Sequence, residues 1–529
     1  MPTLNWIGKE KIINHHNDVP FKLLDKKYTY GDNNNENMII HGDNLYALKA
    51  LLPKYENSID CIYIDPPYNT GEEKWVYNDN VNDPRILKWL GEVVGKEGED
   101  LSRHDKWLCM MYPRLKILQK LMVDDGRIFI SIDENELYNL KQICDEIFGP
   151  KNFVGQYMWF KSATPPNLSH KIKKNLEYIV CYEKSKNNTK YQGIKKESAS
   201  SNGLLNQTNR VATLVFPPNT IKTKLKDGLY KANRYGTKSY DIILEKDAIV
   251  LNGFFTTEVV LTAKFKWAQS YLEQQLREGT EIFIQTKTFS PSYEKREYDP
   301  EVPPNLIDIS VGVDTTEEAG KRLKEMFGAN PFDYPKDVNL IKYLINFVPK
   351  KDAIVLDCFA GSGTTGQAVL ELNNEDGGNR HFIEVEMMDY AETIVAERIR
   401  KITTGFDGYE PISGGFSFYE LGEQILLENG NLNSNISEHD VKQFIYYTET
   451  HSDITVTDND CFMGASNETA YYIFYEKNNI TCLNMKSLEK ITIKADSYVV
   501  YADTCTLSKQ FLESNHIVFK KIPRDIQKL

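Results

Sequence analysis

Apolar positions in the first 150 residues alternate between two periods. Met38-Ile39-Ile40 is a short apolar run that turns at Gly42, and from about Asn44 the residues Leu45, Leu48 and Leu52 recur along one face, which predicts a strand and then a helix. SIDCIYID is nearly continuously apolar and ends on Asp65, as a buried parallel strand does. Ser102 is suited to cap a helix whose stripe is Leu108, Met111, Leu115, Leu118 and Met122, with Pro113 predicted to kink it. Asp124-Asp125-Gly126 turns the chain into the strand RIFISID. Leu137, Leu140, Cys144 and Ile147 then mark a helix that stops at Gly149-Pro150. Strand, helix, strand, helix predicts a parallel sheet with crossover helices.

Between about 155 and 325 this regularity dissolves into short β-like pieces (TLVFPP, DAIVL, EIFIQT) separated by polar loops, with no helix-length period dominating. An insertion with its own architecture is expected there. The α/β pattern resumes with helical VNLIKYLINFV, strand AIVLDCF, turn AGSGTT, helix GQAVLELN, strand RHFIEVE and helix AETIVAERIRK. The last hundred residues mix a helix (SEHDVKQFIYYTE) with strands (AYYIFYE, SYVVYAD, HIVFKKI). The chain of 529 residues exceeds what one core supports. It divides on this reading into 1–155, an insertion at 156–325, a second α/β half at 326–424 and a small α+β unit at 425–529.

Charge changes the picture of the insertion. The net charge of -12 is unevenly spread: residues 161–240 hold 16 basic and 4 acidic residues, and 161–300 hold 23 and 14. A basic middle segment carried by an acidic body suits contact with phosphates. The eight cysteines include no C-x-x-C pair, so they read as buried thiols and no metal site is indicated. With no apolar run near twenty residues and a polar start, neither a membrane span nor a signal peptide is expected, and a cytoplasmic protein is.

Two constellations carry candidate chemistry. In DCFAGSGTT, Asp357 ends a strand, Gly361 and Gly363 form a tight turn, and Thr364 or Thr365 opens a helix. Glycines let the backbone approach a ligand, and Glu386, at the end of the next strand, lies where a carboxylate would accept from ribose hydroxyls; Glu384 alternates to the same face. No lysine follows the second glycine, which excludes a P-loop, and the G-x-G-x-x-G spacing of a dinucleotide dehydrogenase is incomplete. The second constellation is Asp65-Pro66-Pro67-Tyr68 at a strand end. An amine on a heteroaromatic ring is a poor nucleophile because its lone pair is delocalised. A rigidly placed carboxylate and carbonyl that accept its N–H hydrogens draw the nitrogen toward tetrahedral geometry and aim that lone pair at a methyl sulfonium. Tyr68 would stack on a base removed from its helix. Each constellation alone occurs in ordinary turns.

Together, DPPY and FAGSG resemble the amino-methyltransferases of DNA. The flanking segments (HGDNLYALKALL, DCIYIDPPYNTG, WLCMMYPRLKILQKLM, DDGRIFISIDENE, NPFDYPK) look like the modification subunits of type III restriction-modification systems and their solitary relatives. The tetrad precedes the glycine loop with the insertion between them, which resembles the β-class order, in which the insertion is the target-recognition domain.

The resemblance implies a Rossmann-like, doubly wound α/β methyltransferase sheet and S-adenosyl-L-methionine as cofactor. Asp65 would accept from the target N6 amine of adenine, Pro66 would contribute its carbonyl, and Tyr68 would stack on the flipped base. Phe359, Gly361, Gly363 and Glu386 would hold the cofactor, with Asp357 and Thr364 at the same turn, Asp333 to Lys336 as the adjoining wall and Asp43 nearby. Lys171, Lys173, Lys174, Arg234 and Lys266 are candidate DNA contacts, beside the aromatics Tyr235 and Trp267. The implied partners are duplex DNA, a second copy in a homodimer, and a restriction helicase-nuclease subunit. Two alternatives stay open: an N4-cytosine methyltransferase, and a DNA-recognition subunit that directs a nuclease with methylation secondary.

Overall fold

The computed structural model describes residues 3–31, 36–70, 88, 91–93, 102–164, 171–193, 202–295, 300–427, 430–450, 452, 454–455, 459–477 and 479–523. The chain divides into two compact units, residues 192–303 and the remainder.

The larger unit is built on a ten-stranded sheet. In chain order its strands are β1 (Lys22–Tyr30), β2 (Met38–His41), β3 (Ile59–Ile64), β4 (Met122–Ile132), β5 (Phe153–Phe160), β6 (Leu176–Glu183), β7 (Leu306–Ile307), β8 (Ile354–Asp357), β9 (His381–Glu386) and β10 (Phe416–Gln424). They lie in the order β1-β10-β2-β9-β8-β3-β4-β6-β5-β7. The run from β10 to β4 is parallel throughout, while β1, β6 and β5 pair antiparallel to their inner neighbours.

Helices cover both faces, so the central strands are apolar on both sides. Along β3, Ile62 and Ile64 join one core with helices α1 (Asn44–Tyr55), α2 (Arg103–Leu121) and α3 (Leu137–Phe148). Cys61 and Tyr63 face the opposite core, with α4 (Thr316–Phe327), α5 (Val338–Ile345), α6 (Thr364–Asp376) and the helical stretch from Ala391 to α7 (Glu397–Thr404). The doubly wound α/β class expected from the sequence is therefore the observed one. Ser102 caps α2 in a reciprocal capping box with Asp105, and α2 runs through Pro113 as one helix of 19 residues.

The insertion is narrower than the expected 156–325. Strands β5, β6 and β7 belong to the main sheet, with β6 (LEYIVCYE) paired to β4 from Tyr178↔Ile132 to Glu183↔Arg127. The lysines around β6 mask its period, yet six of its eight residues are buried. The described residues of 192–303 form a seven-stranded and a four-stranded sheet around Leu214, Phe216, Phe255 and Phe289, with a helix, Gln269–Arg277, that the apolar pattern did not announce. The charge follows these boundaries: 161–191 carry 7 basic and 2 acidic residues, whereas 192–303 carry 16 and 13. The steepest basic run thus sits on the main-sheet hairpin. The C-terminal segment expected at 425–529 has its own four-stranded sheet and core. It remains within the larger unit, where the Tyr447 hydroxyl donates to the Leu52 carbonyl at 2.8 Å. Among the described residues no helix is long and apolar enough to cross a membrane.

Candidate active site

The parallel register brings the two constellations together. Leu356 of β8 pairs with Ile62 of β3, so the glycine turn after Asp357 and the tetrad after Ile64 leave the sheet side by side at its carboxyl edge. This is where open α/β sheets hold ligands.

At the tetrad, Pro66 and Pro67 are buried and fix the backbone. The Trp107 indole of α2 donates to the Pro67 carbonyl at 2.7 Å. Asn69 takes φ +59° and donates to the Arg103 carbonyl at 3.1 Å, and also to buried Glu136, which ends the turn. The Tyr68 hydroxyl donates to Asp65 Oδ1 at 2.7 Å and lies 3.2 Å from Glu177 Oε2. Lys336 Nζ donates to Asp65 Oδ2 at 2.5 Å, lies 3.5 Å from Glu177 Oε2, and stands 5.2 Å from the centre of the Tyr68 ring. Lys161 Nζ binds the other oxygen of Glu177 at 2.8 Å.

Burial pushes the Asp65 carboxyl above the ordinary range, against Lys336, and the negative charge of Glu177 adds to the rise. Burial works against ionised Glu177 too, yet Lys336 and Lys161 hold it below its ordinary value. Lys336 resists the lowering that burial imposes and is held above its ordinary value by the two carboxylates. The tetrad therefore carries a buried, charged cluster with Asp65 at its centre.

At the glycine turn, Gly361 and Gly363 take φ +56° and +76°, and a Cβ on Gly363 would stand 3.1 Å from Val395 Cγ1. Glu386 accepts from the Gly361 N–H at 2.8 Å and from the Met388 N–H at 2.9 Å. Asp357 accepts from the Phe359 N–H at 3.0 Å and the Thr365 hydroxyl at 2.6 Å. Phe359 is half-buried, and Thr364 begins α6. Glu384 shares the face of Glu386 but turns under α6, where it accepts from the Gly366 N–H at 2.8 Å. Burial pushes Asp357 and Glu386 up to about 7 and Glu384 up to about 8.

Several residues that fix this turn were not singled out from the sequence. Arg398, fully buried, donates to the Ser362 carbonyl at 3.1 Å, the Ser362 hydroxyl at 2.9 Å, the Thr364 hydroxyl at 3.0 Å and Gln367 Oε1 at 2.7 Å. Arg114 of α2 reaches Asn44 Oδ1 at 2.6 Å and Asp43 Oδ1 at 3.3 Å, while Asn44 Nδ2 donates to the Cys358 carbonyl at 2.8 Å. Asp43 also caps α1 through the Leu45 N–H at 2.8 Å. The ends of β2 and β8 are stapled by this chain of bonds. A charged residue inside an otherwise apolar helical stripe, as Arg114 is, was the available signal.

The remaining candidates are dispersed. Asp333 is half-buried and accepts from Asn330 at 3.3 Å, three residues before Lys336. Lys336, expected on the cofactor wall, reaches the tetrad. Lys171, Lys173 and Lys174 are exposed on the β5–β6 connection, outside the unit 192–303, and Lys174 pairs with Glu134. In that unit Lys266 is exposed and Arg234 forks onto Asp241 at 2.9 and 2.5 Å. Trp267 and Tyr235 pack inward, their ring centres 4.3 Å from Tyr293 and Phe289 respectively.

The chain matches the family described as DNA methylase, comprising N6 and N4 methyltransferases, over residues 59–397, a span that holds both constellations. This protein belongs to that family. The DNA methylase chain is 32% identical over 427 residues to the Mod subunit of the type III restriction-modification enzyme EcoP15I of Escherichia coli, covering 73% of this chain and 64% of that one. To the StyLTI Mod subunit of Salmonella typhimurium it is 34% identical over 374 residues, 66% and 52% of the two chains. To the type II methyltransferase M.KpnI of Klebsiella pneumoniae it is 29% identical over 371 residues, 65% and 79% of the two chains. The match thus spans between about half and two thirds of the length of these Mod subunits.

Proposed function

We propose that this DNA methylase transfers the methyl group of S-adenosyl-L-methionine to N6 of adenine in duplex DNA, as a type III modification subunit or a solitary relative of one. The observation that carries the reading is the adjacency of Asp65 and the Gly361–Gly363 turn at the carboxyl ends of neighbouring parallel strands.

The residues at the turn fit the cofactor: two glycines in left-handed conformations clear the backbone, and buried Glu386 offers carboxylate oxygens to ribose hydroxyls. When bound, S-adenosyl-L-methionine supplies a methyl group on a sulfonium. Phe359, Gly361, Gly363, Thr364, Asp357 and Glu386 would hold it, with Asp43 and Asp333 at the margins. Asp65 and the Pro66 carbonyl accept the two amine hydrogens and direct the nitrogen lone pair outward, and Tyr68 stacks on the flipped base. Catalysis then rests on positioning and on hydrogen bonds that strengthen as the nitrogen becomes tetrahedral. An Asp at the first position of the tetrad favours adenine over N4 of cytosine.

The unit 192–303 supplies target recognition on this reading, with Arg234 and Lys266 in it and Lys171, Lys173 and Lys174 on the β5–β6 connection as phosphate contacts. A second copy in a homodimer and a restriction helicase-nuclease subunit are the proposed partners, by analogy with the relatives that are type III Mod subunits.

The test is to incubate the purified chain with methyl-labelled S-adenosyl-L-methionine and unmethylated genomic DNA, digest to nucleosides and identify the labelled product. Label in N6-methyladenine is expected. Label in N4-methylcytosine would correct the base. No label in any base, with cofactor bound, would leave the DNA-recognition subunit as the reading.

A further inference from the structure

The free tetrad holds its own acceptor engaged. Asp65 Oδ1 receives the Tyr68 hydroxyl at 2.7 Å and Asp65 Oδ2 receives Lys336 Nζ at 2.5 Å. An ammonium at that distance neutralises the charge that would draw on an amine hydrogen, and it stands 5.2 Å from the ring centre of Tyr68, near the face on which a base would stack. A target amine that gives one hydrogen to Asp65 competes with these donors, and most directly with the charged one, for the carboxylate oxygens.

A second acceptor for both is already in place. Glu177 Oε2 lies 3.2 Å from the Tyr68 hydroxyl and 3.5 Å from Lys336 Nζ, while Lys161 occupies Oε1 at 2.8 Å. Glu177 projects from β6, a strand the tetrad does not belong to, and its side chain is only 8% exposed. A buried carboxylate this close to another is costly unless cations pair with it; Lys336 bridges the two and Lys161 pairs with Glu177. Small movements of one ammonium and one hydroxyl would carry them from Asp65 to Glu177, keeping Lys336 paired and leaving Asp65 open to the amine.

We infer that Glu177 is a positioning residue that takes over Lys336, or the Tyr68 hydroxyl, when the target amine takes its place at Asp65. The inference rests on the reading of Asp65 as the amine acceptor. It assigns to β6 a part in the chemistry as well as in the sheet, and it makes Lys336 a guard on the tetrad as much as a part of the cofactor wall.

The test uses the full chain, unmethylated genomic DNA and saturating labelled S-adenosyl-L-methionine, following single-turnover methyl transfer and, separately, cofactor affinity. Glu177→Gln keeps an acceptor for Tyr68 but loses the charge that seats Lys336. It is expected to slow transfer on the order of tenfold or more, with cofactor affinity within about twofold of wild type. Glu177→Asp restores the charge and should lie between the two. Adding Lys336→Met to Glu177→Gln removes the unseated ammonium and should give faster transfer than Glu177→Gln alone. A wild-type rate in Glu177→Gln, or no gain in the double variant, overturns the inference. If Glu177→Gln does not fold, Glu177→Asp decides by itself: a slowing of about threefold supports the inference and an unchanged rate overturns it. Transfer retained by Asp65→Ala would instead refute the underlying reading.

Discussion

Trp107 Nε1 donates to the carbonyl oxygen of Pro67 at 2.7 Å, so helix α2 grips the tetrad from behind, 40 residues away in the chain. Proline carries no N–H, and Pro66-Pro67 can be tied down only through carbonyls. Trp107→Phe keeps most of the buried ring but leaves that carbonyl without its indole donor. It is expected to cost about 1–2 kcal/mol of stability and to lower kcat more than it changes cofactor affinity. Denaturant unfolding beside steady-state kinetics checks both.

Arg398 holds the glycine turn through four hydrogen bonds from a fully buried guanidinium. Burial lowers it only to about 10, so it stays charged at neutral pH. Lysine cannot reproduce the planar fork. Arg398→Lys should weaken S-adenosyl-L-methionine binding by roughly tenfold, measured by calorimetry, while the Tyr68–Asp65 bond and duplex affinity are unaffected.

The buried carboxylates give a pH dependence of defined sign. Glu384, pushed up to about 8, and Asp357 and Glu386, pushed up to about 7, bind protons in the folded state that the unfolded chain releases nearer 4. Between those limits the folded state holds more protons, so their contribution to stability is present at low pH and lost as pH rises through 7 to 8. The melting temperature of the ligand-free protein is expected to fall between pH 5.5 and 8.5, and to fall less in Glu384→Gln. Hydroxyl donors from a bound ribose favour ionised Glu386, so cofactor affinity should rise with pH across about 7.

Lysines 171, 173 and 174 lie on the connection from β5 to β6, not in the unit 192–303. Replacing all three by alanine should weaken binding to all duplexes alike and reduce the slope of log affinity against log salt by roughly one per lost phosphate contact. Exchanging residues 192–303 for those of a relative should change which sequence is methylated. Methylated-site mapping and salt titration separate the two effects.

The parallel core was legible because its strands and helices obey clean periods. β2, α1, β3, α2, β4 and α3 fall where Leu45, Leu48, Leu52 and the SIDCIYID run place them. The hairpin β5–β6 was not legible. LEYIVCYE is short, lysines flank it, and its pairing partner RIFISI lies on its far side from β5, so long-range register decided what local pattern could not. At the site, Asp65, Tyr68, Gly361, Gly363 and Glu386 stand out because proline and glycine punctuate the chain beside them. Glu177, Lys161, Arg114 and Arg398 act from other elements, and only the fold brings them to the tetrad and the turn.

Asp65 is the residue on which the account depends, and Asp65→Ala in the purified chain tests it most directly. With unmethylated DNA and labelled S-adenosyl-L-methionine, methyl transfer is expected to fall below detection while cofactor binding by calorimetry stays within about threefold of wild type. Transfer to adenine by the alanine variant within about tenfold of wild type would contradict it.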